Sequence, residues 1–166
     1  MELGLVGCGF DYNRIGIGKY IACGNRSDYI LKNDGSVWSC GYNEYGQLGI
    51  GKTGGGSYSR SQVNNNARQI ACGYQHTVIL KKDGSVWTCG YNNYGQLGLN
   101  DYNLRNTFTQ VTNNINNDVK QIACGYDFAF ILKNDGSVLG AGYSYNGFPQ
   151  NGNSTSSLTF SYITSL

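Results

Sequence analysis

The sequence predicts an all-β chain built from consecutive four-stranded units, and three observations carry that prediction. The tetrapeptide IACG stands at 21–24, 70–73 and 122–125, and each copy opens a similar stretch of chain. In every stretch an Asp-Gly pair sits between short apolar runs, at Asp34-Gly35, Asp83-Gly84 and Asp135-Gly136. Such pairs are the chemistry of a hairpin turn. Charged residues make up 13% of the 166 residues, against 25 glycines. The usual charged share is roughly 25%, so long solvated helices are not expected.

The elements follow in order. IACG marks strand one. The runs YIL (29–31), VIL (78–80) and FIL (130–132) mark strand two, and SVW (36–38), SVW (85–87) and SVL (137–139) mark strand three. A polar loop then leads to strand four, at RSQV (60–63), TFTQV (107–111) and TFSYI (159–163). The stretches around IACG and around YIL, VIL and FIL are short, apolar and rich in β-branched and aromatic residues. An Asn-rich linker joins each unit to the next. Ile21 to Ile70 is 49 residues and Ile70 to Ile122 is 52. A four-stranded unit of about 40–50 residues has the period of a propeller blade.

The expected architecture is therefore one propeller-arc domain over 1–166, with blades at about 21–69, 70–121 and 122–166. VGCGFDYNRIG (6–16) resembles the second half of a unit, SCGYNEYGQLG (39–49), which adds a half blade over 1–18. In the third unit Leu139, Ala141 and GFPQ replace Trp, Cys and GQLG, as in the degenerate end of a repeat array. Three and a half blades leave the ring open, since closed propellers have about 4–8. An open blade face exposes apolar surface and strand edges that are normally covered. Two chains are expected to associate as a homodimer into a ring of six to eight blades. The alternatives are that the chain is a fragment of a longer propeller, or that it caps a different protein.

The pattern running from IACG through L-x-x-DG-x-V-W-x-CG-x-N-x-x-GQLG resembles the regulator of chromosome condensation repeat, in three copies over 21–163. The resemblance implies a β-propeller, usually of seven blades, and a binding role. Members of that family serve as exchange factors, chromatin binders, enzyme inhibitors and scaffolds. The exchange activity of the founding member depends on an inserted wedge that has no counterpart here. The family's plant ultraviolet photoreceptors carry a G-W-R-H-T motif, but Asn25, Tyr74 and Tyr126 stand at the tryptophan position, so light sensing by that route is not expected.

Other chemistries find little support. GQLGIGKT (46–53) matches the phosphate-loop pattern G-x-x-x-x-G-K-[ST]. That pattern works only where a helix follows, and Gly54, Gly55 and Gly56 cannot start one. The second copy continues as LND, so GQLG is read as a structural turn. The cysteines recur at strand positions, with Cys23 and Cys40 matched by Cys72 and Cys89. Ala141 takes the place of a Cys in the third unit, and no C-x-x-C pair occurs. Packing is favoured over disulfides or a metal, and no cofactor is expected. His76 is the only histidine; Ser27 and Phe128 align with it, and no nucleophile or carboxylate is placed beside it. With Asp34, Asp83 and Asp135 assigned to turns, the other acids are scattered, so the chain is read as non-enzymatic. Trp38 and Trp87 are read as packing residues.

A net charge of +2 without a basic stripe argues against nucleic acid. No run is long enough to span a membrane. MELGLVGCGF lacks a basic n-region, so a cytoplasmic location is expected, and the glycosylation triplets at Asn25 and Asn153 are read as unused.

The remaining feature is the tyrosines, 14 in all. Tyr42, Tyr45, Tyr91, Tyr94, Tyr143 and Tyr145 fall in the loops between strands three and four, together with Asn43, Glu44, Asn92, Asn93 and Ser144. Tyr and Asn join rigid contact area to adaptable hydrogen bonding, as binding surfaces do. These residues are the expected contact rim for an unknown protein partner, with the second Tyr of each loop favoured over the first. A weaker patch is expected after each IACG, at Asn25-Arg26, Tyr74-Gln75 and Tyr126-Asp127. The alternative function is small-molecule binding in the central channel or the cleft between chains.

Overall fold

The computed structural model describes residues 18–143 and 156–163. They form three four-stranded antiparallel sheets in simple chain order, the meander of a propeller blade. The first sheet holds β1 (Gly18–Cys23), β2 (Ser27–Lys32), β3 (Val37–Tyr42) and β4 (Gly56–Asn64). The second holds β5 (Ala67–Cys72), β6 (His76–Lys81), β7 (Val86–Gly90) and β8 (Arg105–Gln110). The third holds β9 (Val119–Cys124), β10 (Phe128–Lys133), β11 (Val138–Gly142) and β12 (Ser157–Tyr162). Strands one to four thus fall where the repeat places them, and no described residue is helical.

The turn between the second and third strands is a five-residue K-N-D-G-S unit in the first blade. Gly35 N–H donates to Lys32 O at 3.0 Å, and Lys32 N–H donates to Ser36 O at 2.9 Å. Only the glycine takes a positive φ, +89° at Gly35. This is the type I turn with a glycine bulge, in place of a turn that needs two such residues. The aspartate contributes through its side chain, since Asp34 Oδ1 accepts the Ser36 N–H at 2.8 Å. The same bond recurs from Ser85 to Asp83 and from Ser137 to Asp135. The Ser36 N–H at Asp34, and the Ser85 and Ser137 hydroxyls together with their N–H groups at Asp83 and Asp135, hold all three carboxyls below their ordinary range.

Neighbouring blades meet through β1, β5 and β9, the innermost strands. The core lies between blades. One cluster joins Tyr29, Leu31 and Val37 of the first blade to Ala67, Ile70 and Ile79 of the second. The other joins Val78, Leu80 and Val86 of the second to Ile122, Ile131, Leu139 and Phe160 of the third. Leu139, which replaces Trp, is fully buried there. Trp38 and Trp87 do pack: their indole N–H groups donate to Ser36 and Ser85 Oγ, and Lys32 and Lys81 lie over their faces at 4.5 and 4.0 Å.

GQLG is the seal of each junction. Gly46 lies against the second blade, where a Cβ would stand 2.6 Å from Asn106 Cα. Gln47 O accepts Tyr29 Oη at 2.6 Å, Thr77 Oγ1 at 3.1 Å and Cys89 Sγ at 3.1 Å. After Thr53 the chain passes through Gly54 and Gly55 into β4, so GQLGIGKT lacks the helix that a phosphate loop requires. Cys23, Cys72, Cys89 and Cys124 are free thiols. Burial is the main cause that pushes them up, so they are poor nucleophiles. Cys40, expected to pack as a thiol, is instead disulfide-bonded.

Candidate functional site: the tyrosine face

In an antiparallel meander the loops after strands one and three emerge at the same end of the blade. The two patches expected from the sequence therefore form one face. Main-chain bonds tie them together: Tyr42, Tyr91 and Tyr143 N–H donate to the carbonyls of Arg26, Gln75 and Asp127 at 2.6, 2.8 and 2.9 Å.

On this face the tyrosines form a ladder that crosses both blade junctions. The Tyr45 ring meets Tyr91 edge-on at 5.0 Å, Tyr91 meets Tyr94 at 6.1 Å, and Tyr94 meets Tyr143 at 4.9 Å. These are favourable edge-to-face geometries. The second Tyr of one blade thus supports the first Tyr of the next. All four are half-buried, as is Tyr42. Nearer the axis, Tyr74 and Tyr126 stack at 4.1 Å with planes 14° apart, and Tyr74 N–H donates to Tyr126 O at 3.0 Å.

The asparagines divide by position. Asn43 is 1% exposed and Asn92 0%. Asn43 Oδ1 accepts Leu48 N–H at 3.0 Å and its amide donates to Lys52 O at 2.8 Å. Asn92 does the same with Leu97 N–H and Asp101 O. These two side chains hold the loop from inside and present nothing at the surface. Glu44 and Asn93 are exposed. Ser144 and Tyr145 lie outside the described residues. Asp127 joins the face: burial raises its carboxyl, and Gln96 Nε2 lies 3.5 Å from its Oδ1.

Among the described residues no catalytic arrangement accompanies this face. His76 is 1% exposed, and neither ring nitrogen has a side-chain partner. Burial lowers it to about 4, leaving the imidazole neutral at pH 7. Its ring packs over Gly73, as Phe128 packs over Gly125 and the Ser27 hydroxyl lies over Gly24 in the equivalent places, so the position fills space against a glycine in every blade. Among the described residues no three His, Cys, Asp or Glu side chains cluster as metal ligands. No described helix is long and apolar enough to cross a membrane.

Two models of the regulator of chromosome condensation (RCC1) repeat match the chain, one over 19–47, 67–96 and 119–147, the other over 34–80 and 83–132. The chain belongs to the RCC1 repeat family. Human WBSCR16 superposes with a TM-score of 0.82 at 26% identity, over 95% of this chain and 42% of that one. Yeast RCC1 (Prp20), solved bound to Kap60, superposes at 0.80 with 22% identity, over 89% and 37%. Prp20p from Saccharomyces cerevisiae, described with its binding to Gsp1p and histones, superposes at 0.75 with 22% identity, over 89% and 38%. The chain thus spans about two fifths of the RCC1-type propellers it matches. Comparison with curated protein sequences gives no match.

One recurrent feature is missed when the repeat is read from IACG onward. Lys19, Arg68 and Lys120 stand at the second position of β1, β5 and β9. The signal is present as GKY, ARQ and VKQ, immediately upstream of each IACG.

Proposed function

We propose that the chain is a non-enzymatic binding module and that a protein partner docks on its tyrosine face. The observation that carries this reading is the Tyr45–Tyr91–Tyr94–Tyr143 ladder. It holds large amphipathic rings in fixed positions across three blades, which lowers the ordering cost of an interface. Exposed Glu44 and Asn93 supply polar contacts between them. The yeast relatives bind Kap60, Gsp1p and histones, and protein binding by this chain is in keeping with them. The test places a photo-crosslinking residue at Asn93, and separately at Asn134 on the opposite end. A discrete adduct from position 93, lost with Tyr94→Ala and with the surface change Glu44→Arg while the melting temperature holds, supports the reading. Equal capture from both positions would sink it.

The same proposal includes ring completion by a second copy of the chain. Ile21 is 75% exposed, whereas Ile70 and Ile122, its equivalents, are 8% and 2% exposed because a preceding blade covers them. Action in the cytoplasm is part of this reading; the four free thiols fit a reducing compartment and the Cys40 disulfide does not.

A further inference from the structure

The innermost strands share an irregularity. Register slips between Gly18 and Tyr20 in β1, between Ala67 and Gln69 in β5, and between Val119 and Gln121 in β9. The extra residue is a cation each time: Lys19, Arg68 and Lys120. A bulged residue leaves the in-out alternation of its strand, and bulges often re-aim a side chain at a functional site. All three cations line a single open groove of about 610 Å³ along the inner strands, with Tyr20 and Gln121 beside them.

We propose that this groove binds a small multivalent phosphate anion, either a short phosphate chain or the polyphosphate of a nucleotide. No Asp or Glu lines the groove. Among the described residues, Lys19, Arg68 and Lys120 form no ion pair. Asp118, next to the third bulge in the chain, is held by Lys133 at 3.0 Å. Three like charges on neighbouring strands repel one another, and a polyanion placed among them relieves that repulsion.

The donors are partly fixed in advance. Arg68 Nη2 donates to Val119 O, which steadies the guanidinium. Its Nε is buried without an acceptor. Gln69 clasps the next blade, its amide bonded at 3.0 Å to both the carbonyl and the N–H of Ile122. Gln121, the equivalent residue in β9, is exposed and makes no such bond, so its amide is available to a ligand. The groove volume suits a small ligand. The inner strands start at the cations and end at the loops of Tyr74 and Tyr126, so this site lies at the far end from the tyrosine face. It does not depend on the protein-binding reading.

The test is calorimetric titration of the full chain at low salt with tripolyphosphate, ATP and orthophosphate. Saturable one-to-one binding of tripolyphosphate is expected, with orthophosphate at least about tenfold weaker. Lys19→Gln and Lys120→Gln, both at exposed positions, should each weaken tripolyphosphate by roughly three- to tenfold. Lys52→Gln, in the loop after GQLG, should leave it unchanged. ATP binding tighter than tripolyphosphate supports the site and points to a nucleotide; weaker ATP supports it with a bare phosphate chain as the ligand. Absence of saturable binding would overturn the proposal. So would an equal loss with Lys52→Gln, which means diffuse charge, or tighter binding of a single-stranded oligonucleotide, which means a nucleic-acid surface.

Discussion

Ile21, Ile70 and Ile122 occupy one position in three inner strands, within the same IAC context, yet their exposures are 75%, 8% and 2%. The second blade is covered on both faces: Ile70 and Ile79 by the first blade, Val78 and Leu80 by the third. At the two ends the same residue types are left short of neighbours. Leu31 and Leu80 are fully buried, whereas the equivalent Leu132 of the third blade is only half-buried. In a repeat fold the unit supplies the strands, and the neighbour supplies the burial.

That contrast can be broken by substitution. Ile122→Ala removes a side chain packed between two blades and should cost about 2–5 kcal/mol in urea unfolding. Ile21→Ala, measured at a concentration where the chain is monomeric, should stay within about 0.5 kcal/mol. Equal losses would mean that β1 is covered after all.

Acid should act next, through the second blade. His76 has a folded value of about 4 against an ordinary 6.5. Between those values the unfolded chain binds the proton and the folded chain does not. Stability is then full above about pH 6.5 and falls as the pH drops toward 4, by on the order of 3 kcal/mol. His76→Phe installs the residue that the third blade carries at Phe128. It should flatten the part of the pH dependence between pH 6.5 and 4.5, read as the difference from the unsubstituted chain.

The smallest effect separates two glutamines. Gln69→Ala removes both bonds to the Ile122 main chain and should cost about 1–2 kcal/mol. Gln121→Ala, at an exposed position without that clasp, should leave unfolding unchanged.

The blades and the loop positions of the tyrosines were legible because repetition, Asp-Gly turns and β-branched runs are local signals. The joining of the two tyrosine patches into one face follows from the meander, once strand order is known. The burial of Asn43 and Asn92 was hidden, because a loop asparagine reads alike whether it faces solvent or bonds inward to Leu48 and Lys52. The three cations were hidden for another reason. Strict alternation puts Lys19 on the same side as Ile21, and only the bulge at that residue frees it from the blade interface.

The claim that a second copy covers the open faces is tested most directly by the solution mass of the purified chain. Light scattering over a wide concentration range should give twice the 18.1 kDa chain mass, and Ile21→Arg should return it to a single chain. A mass of 18.1 kDa at every concentration would contradict that claim.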